Sequence, residues 1–144
     1  MSYESKIRKW EDMQVGDTVS FTKTMTETDV IQWVGLTGDL NPIHIDREYA
    51  KTTRFGKVLV PGVLVLGLIS KCMTDLTFGH VYASQTIKFI KPVYIGDTIT
   101  ATGTIVEKIE EKNLVKVETK CVNQDGALVM IGEGMEYILR DKNR

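Results

Sequence analysis

The sequence predicts an α+β domain in which a long antiparallel sheet wraps around one apolar helix. Residues 58–69 are the most apolar run of the chain. The segments that follow alternate apolar and polar residues and are rich in β-branched side chains. A helix followed by a series of strands is typical of α+β architecture, because α/β folds alternate the two elements.

Length and charge place the chain among ordinary globular domains. Its 144 residues suit a single domain over 1–144, with residues 1–9 and 140–144 expected to be frayed. The 18 basic and 19 acidic residues create no field that would attract nucleic acid or an anionic membrane. No signal-peptide pattern is present, and the apolar run is shorter than the roughly 20 residues that span a bilayer. We expect a cytoplasmic protein with neither kind of partner.

Cysteine and histidine usage predicts no metal site, and we also expect no cofactor. Cys72 and Cys121 are far apart and lie among apolar residues, so we expect buried free thiols in a reducing compartment. The two histidines, His44 and His80, form no metal-ligand spacing with them. We expect His80 to lie in a loop.

The first half of the chain predicts one strand and short helices. Residues 18–25 alternate as a strand does. Thr26 begins a cap motif for a short helix that the glycines up to Gly38 end. Residues 38–46 then form a loop, and Asp46 is placed to cap one or two further helical turns.

The central helix is predicted after Pro61-Gly62. The following residues, up to Leu76, are apolar on every side, so periodicity does not distinguish a helix from a buried strand. A run of about 14 residues without a turn signal favours the helix. A helix that is apolar all round must be covered on most sides.

Four strands are predicted next, at residues 85–90, 98–109, 114–122 and after the Asp125-Gly126 turn. In the second of them Ile99, Ala101, Gly103, Ile105 and Ile109 share a face, and in the last Val129, Ile131, Met135, Tyr137 and Leu139 share a parity. Gly16-Asp17-Thr18 recurs as Gly96-Asp97-Thr98, which indicates two strands entered by the same turn. One helix held in a curved antiparallel sheet is the hot-dog fold.

Residues 38–46, Gly-Asp-Leu-Asn-Pro-Ile-His-Ile-Asp, bring together an acid, an amide and an imidazole. Asp39 and His44 would not share a helix face, but a turn built on Asn41 and Pro42 can bring both side chains to one small molecule such as water. A carboxylate and an imidazole can hold that water or act as acid and base. The spacing alone equally fits a purely structural turn.

The same segment resembles the signature loop of the MaoC-like dehydratases, the (R)-specific enoyl-CoA hydratase family. Further similarities follow in the family's order at Phe55-Gly56, at Val60-Pro61-Gly62 and at residues 89–98. The resemblance covers roughly residues 10–140, nearly the whole chain.

The resemblance implies syn addition of water to a trans-2-enoyl thioester of coenzyme A or acyl carrier protein. Asp39 matches the main base and His44 the partner that orients the water and shares the proton, while Asn41 supports the loop. Gly62 matches the position whose backbone N–H faces the thioester oxygen, in keeping with the unpaired donors of a helix start.

Lys57, Lys88 and Lys91 are candidates for the phosphates of coenzyme A, although exposed lysines are more often only solvated. Two other functions use the same fold: a non-catalytic acyl-thioester-binding subunit and a hot-dog thioesterase. The presence of both Asp39 and His44 favours the hydratase. A single hot-dog unit exposes a sheet edge, so we expect a homodimer or a higher oligomer.

Overall fold

The computed structural model describes residues 2–141; Met1 and residues 142–144 of the predicted frayed ends lie outside the described residues. Its helices and strands follow the predicted order of one strand, short helices, a long helix and four strands. They are β1 Thr18–Thr24, α1 Glu27–Thr37, α2 Pro42–Ile45, α3 Arg47–Thr52, α4 Gly62–Leu76, β2 Val81–Phe89, β3 Thr98–Ile109, β4 Leu114–Val122 and β5 Leu128–Tyr137.

The five strands form one antiparallel sheet in the order β1-β3-β4-β5-β2, so β1 and β2 are the edges. Helix α4 packs on the inner face of this sheet and contacts β1, β3, β4 and β2. Its buried side chains meet the buried residues of the strands in one core. From α4 these are Val65, Leu68, Ile69, Cys72, Met73 and Leu76; from β3 and β4 they include Ile99, Ala101, Ile105, Val115, Val117 and Cys121. The predicted α+β arrangement is confirmed.

The capping residues predicted from the sequence mark the ends of the first helices. Thr26 accepts a hydrogen bond from the Asp29 N–H at 3.2 Å, and the Asp29 carboxylate accepts one from the Thr26 N–H at 2.8 Å. Helix α1 ends at Gly38, whose φ of +74° lies in the left-handed region that glycine adopts readily. Asp46 accepts a hydrogen bond from the Tyr49 N–H at 2.9 Å and caps α3 as predicted.

The two Gly-Asp-Thr turns have the same geometry, as predicted. Gly16 and Gly96 have φ values of +98° and +96°. In each turn the aspartate after the glycine accepts a hydrogen bond from the backbone N–H three residues earlier, at 3.0 Å for Asp17 and 2.8 Å for Asp97. The repeat therefore reflects one kind of strand entry used twice.

Residues 38–46 are more regular than a loop, because Pro42–Ile45 forms a helical turn. The Asn41 side chain accepts a hydrogen bond from the Ile43 N–H at 3.3 Å, and Pro42 occupies the first helical position, where its fixed φ is favourable. This turn carries His44.

The predicted strand faces were partly wrong. A bulge between Ile105 and Glu107 shifts the alternation in β3, so Ile109 leaves the buried face and is only half-buried. In β5 the buried residues include Met130, Gly134 and Glu136, followed by Ile138 just beyond the strand, whereas Ile131, Met135 and Tyr137 are half-buried. The apolar pattern of the sequence does not show this face, because one of its buried positions is a glycine. Gly134 faces α4, where an added Cβ would lie 2.7 Å from Met73 Cε.

A further departure concerns β2. Strand β2 starts at Val81 and not at the predicted residue 85. A bulge between Tyr82 and Ser84 interrupts the alternation at its start, so the sequence pattern did not predict these first residues. One side of α4 is left uncovered, where Val63 is 52% exposed and forms an apolar groove with Trp33, Leu66 and β2. None of the helices within residues 2–141 combines the length and apolarity needed to cross a bilayer.

Candidate active site

A pocket of about 330 Å³ opens where α4 begins. Its walls come from α2, from residues 54–65, from residues 89–93 and from the start of β5. The lining includes His44, Arg54, Phe55, Gly62, Phe89 and Lys91. A larger groove of about 620 Å³ lies between the two chain ends, but it shares no residue with this pocket and contains none of the predicted site residues.

The His44 ring is oriented by a single backbone carbonyl. Its Nδ1 lies 2.7 Å from the Leu59 carbonyl oxygen. Because a carbonyl only accepts hydrogen bonds, Nδ1 carries a proton, and in the neutral ring Nε2 then has a free lone pair. His44 lines the pocket and is half-buried, so the ring is both held and accessible.

The same backbone segment fixes α2 relative to α4. The Leu59 N–H donates to the Ile43 carbonyl at 3.0 Å, while the Leu59 carbonyl accepts from His44. One residue later, the Val60 N–H donates to the Val93 carbonyl at 2.8 Å. The turn that carries His44 is therefore tied to the segment that leads directly into α4.

Asp39 lies just after α1 and is half-buried. Its Oδ1 accepts a hydrogen bond from the Asn41 N–H at 3.3 Å, and its own N–H donates to Thr37 Oγ1 at 3.2 Å. Within residues 2–141 neither a hydrogen bond nor an ion pair joins Asp39 to His44, and Asp39 is not among the residues lining the pocket. The structure thus brings His44 and Gly62 to one pocket, whereas Asp39 does not line that pocket and has no hydrogen bond to His44 within residues 2–141.

Helix α4 starts without a side-chain cap. The N–H groups of Leu64 and Val65 both donate to the Pro61 carbonyl, at 3.0 and 3.2 Å. In the described part of the chain, the N–H groups of Gly62 and Val63 have no acceptor. Unpaired donors at the positive end of a helix attract negative charge. Gly62 therefore offers a hydrogen-bond donor to a ligand in the pocket.

The predicted lysines differ in position. Lys91 lines the pocket, and Lys57 Nζ lies 4.5 Å from the centre of the Tyr94 ring. Lys88 precedes Phe89 on β2, and because neighbouring strand residues point to opposite faces, its side chain leaves the sheet away from the pocket.

Sequence reasoning missed Arg54, which lines the pocket with its guanidinium 4.8 Å from the centre of the Phe55 ring. Arg54 directly precedes Phe55-Gly56, which resembles the family, and this position could have indicated that Arg54 belongs to the site.

Glu136 is a second residue that sequence reasoning missed. It lies on the inner face of β5, is only 2% exposed, and its Oε2 has no hydrogen-bond partner within residues 2–141. Burial raises the pKa of Glu136 to about 7, and a hydrogen bond with Thr77 offsets part of that effect. Glu136 does not line the pocket, so it belongs to the buried interior and not to the candidate site.

Comparison with known proteins identifies the family. A sequence model described as a MaoC like domain matches residues 12–126. The chain belongs to the MaoC-like family. This MaoC-like chain is 40% identical over 126 residues to the (R)-specific enoyl-CoA hydratase of Rhodospirillum rubrum, covering 86% of this chain and 87% of that protein. It is 39% identical over 123 residues to a mitochondrial 3-hydroxyacyl-acyl-carrier-protein dehydratase of Solanum lycopersicum, covering 84% and 74%.

Solved structures of MaoC-like relatives confirm the predicted hot-dog fold. The unliganded R-hydratase of Pseudomonas aeruginosa has a TM-score of 0.83 and 32% identity, with 91% of this chain and 85% of that chain covered. The (R)-hydratase of Aeromonas caviae has a TM-score of 0.85 and 29% identity, with 90% and 99% covered.

Proposed function

We propose that this MaoC-like protein is an (R)-specific enoyl-thioester hydratase, a hydro-lyase that also runs in reverse as a 3-hydroxyacyl-thioester dehydratase. The observation that carries the proposal is the shared pocket of His44 and Gly62, with a free imidazole nitrogen and an unpaired N–H. The names of the relatives, which are hydratases and dehydratases of coenzyme A or acyl-carrier-protein thioesters, support the same reaction.

In the hydration direction, one water lies between Asp39 and His44. Its oxygen bonds to C3 while one of its protons passes to the Asp39 carboxylate, and the C2=C3 electron pair moves through the enolate towards the thioester oxygen. C2 then takes a proton from the Asp39–His44 pair, so hydrogen and hydroxyl add to the same face. The Gly62 N–H donates to the thioester oxygen as negative charge develops on it.

The proposed roles fit the contacts of both side chains. His44 Nδ1 is occupied by the Leu59 carbonyl, so Nε2 is the nitrogen that accepts a hydrogen from the water. The Asp39 carboxylate accepts a hydrogen bond from the Asn41 N–H and forms none with His44 in the described part of the chain, so we propose that a water bridges the two groups. Asn41 supports this arrangement by capping α2.

For the carrier, we propose that Arg54 and Lys91 bind phosphate. Both line the pocket, and neither has an ion-pair partner among the residues described. An arginine presents a fork of donors that matches phosphate geometry. Lys57 has the same proposed role above the Tyr94 ring, whereas Lys88, which points away from the pocket, has the least support.

We also propose that the protein is a cytoplasmic homodimer. Strand β2 is an edge strand with open backbone groups, and next to it lies the uncovered apolar side of α4. A second copy pairing along β2 would cover both. The two buried free cysteines suit a reducing compartment.

Incubation with crotonyl-CoA separates the possible functions. A hydratase removes the enoyl absorbance without releasing thiol, a thioesterase releases free thiol, and a non-catalytic binder does neither. Asp39→Asn, which keeps the shape of the side chain and removes the base, should lose at least about a hundredfold in kcat. Asp125→Asn, in the exposed turn before β5, is the matched control and should keep full activity. Full activity of Asp39→Asn would contradict the role given to Asp39.

A further inference from the structure

The ring of Phe89 lies directly against Gly62, the first residue of α4. A Cβ added to Gly62 would overlap the ring, at 2.8 Å from Cδ1 and 2.9 Å from Cζ. Gly62 does not have a positive φ, so its backbone conformation is open to other residues. A side chain at position 62 would overlap the aromatic ring in its observed position.

Backbone hydrogen bonds hold the two segments that carry the ring and Gly62. Phe89 is the last residue of β2 and pairs with Met130 of β5, and the next N–H, that of Ile90, donates to the Val129 carbonyl at 2.9 Å. Further along the same segment, the Val93 carbonyl accepts the Val60 N–H, two residues before Gly62. The strand that carries the ring and the chain that enters α4 are therefore bonded to each other.

Phe89 contributes less to the core than its size suggests, because it is 54% exposed. Its ring nevertheless forms one wall of the pocket that His44 and Gly62 also line. An apolar wall beside a donor excludes competing water, and a hydrogen bond to a developing charge is stronger in such surroundings. The position of the ring thus bears on the strength of the Gly62 donor.

We propose that Phe89 is a positioning residue for the thioester carbonyl. Its ring holds the carbonyl oxygen against the Gly62 N–H and keeps water away from that hydrogen bond. The role rests on the thioester binding that the proposed function includes, and it adds to that function a residue that acts through Gly62.

Kinetics of three variants test this role. Phe89→Ala should lower kcat for crotonyl-CoA by about tenfold with KM changed by less than about twofold, since the donor is weakened and not removed. Phe89→Tyr keeps the ring and should keep both constants. Tyr3→Ala removes an aromatic side chain that is 79% exposed and lies outside the pocket, so it should behave as the wild type.

A double-mutant comparison tests the contact itself. Gly62→Ala places a methyl group in the ring and should lower kcat strongly in the wild-type background. In the Phe89→Ala background the methyl group meets no ring, so the same change should cost several-fold less. Additive effects of the two substitutions, or an unchanged kcat in Phe89→Ala, would overturn the proposal.

A spectroscopic measurement separates this proposal from the hydratase function. Butyryl-CoA has no double bond to hydrate, so the infrared carbonyl stretch of the bound thioester reports only the hydrogen bond at its oxygen. The stretch should move to lower wavenumber on the wild type and return towards the free value on Phe89→Ala. Equal shifts on both proteins would overturn the role of Phe89 even if hydration is observed. Failure of the wild type to bind butyryl-CoA would overturn both proposals, and failure to hydrate crotonyl-CoA alone would remove only the hydratase.

Discussion

The hydrogen bond from His44 to the Leu59 carbonyl decides which imidazole nitrogen meets a ligand. Asparagine at position 44 can reproduce the donor to that carbonyl but has no counterpart of Nε2. We therefore expect His44→Asn to fold normally and to lose about 100- to 10,000-fold in kcat for crotonyl-CoA, the range typical of a general acid–base group. Urea unfolding shows whether the fold is kept. A folded His44→Asn with wild-type kcat would remove His44 from the chemistry.

The site residues that the sequence predicted are those whose chemistry is visible in a short motif. Asp39, His44 and Gly62 stand in distinctive segments, and two of them meet at one pocket. Phe89 was not assigned a role, because its contact with Gly62 depends on the pairing of β2 with β5, and short-range patterns carry no information on that pairing.

At the level of elements, helix boundaries were predictable where capping determines them. Thr26, Gly38 and Asp46 act through hydrogen bonds or backbone conformations within three or four residues of themselves. The inward faces of β3 and β5 were not predictable from the sequence. Bulges between Ile105 and Glu107, and where β5 pairs with Cys121 and Val122, change the alternation of these strands. A bulge depends on the pairing of two strands, so the sequence of either strand alone does not predict it.

The cap of α1 gives a prediction at this scale. Thr26→Ala removes the acceptor for the Asp29 N–H and should lower the free energy of unfolding by about 1 kcal/mol. Urea denaturation measures the change. Thr26→Ser keeps the hydroxyl and should stay within a few tenths of the wild-type value; a loss of equal size in both variants would mean that the hydroxyl is not the stabilising group.

At the level of the whole molecule, Glu136 makes stability depend on pH. In the unfolded chain this carboxyl titrates near its ordinary pKa of 4.5, whereas burial raises the pKa to about 7 in the folded protein. Between these values the folded state holds a proton that the unfolded state has released. The free energy of unfolding should therefore fall as pH rises from about 4.5 to 7, by up to about 3 kcal/mol from this group.

Glu136→Gln is the matched variant for this effect, because the amide is close in shape and does not titrate. Urea unfolding across pH 4.5–8 should show a smaller decline in stability for the variant than for the wild type. Parallel curves for the two proteins would show that Glu136 ionises as readily in the folded state as in the unfolded one.

The proposed homodimer makes a prediction about α4. Val63 is 52% exposed on the uncovered side of the helix, so Val63→Glu would place a charge in the interface. Sedimentation should give the wild type a mass near twice the 16.2 kDa of one chain and the variant a mass near that of a single chain. Val15→Glu, which changes a valine that is 61% exposed elsewhere, is the control and should remain dimeric. A monomeric wild type would contradict the proposal.

In the proposed reaction one water, held between Asp39 and His44, adds to a single face of an enoyl thioester bound at Gly62. Hydration of crotonyl-CoA in deuterium oxide, followed by stereochemical analysis of the product, measures this most directly. We expect (R)-3-hydroxybutyryl-CoA with one deuterium at C2 on the same face as the hydroxyl group. An (S) product, or deuterium on the opposite face, would contradict it.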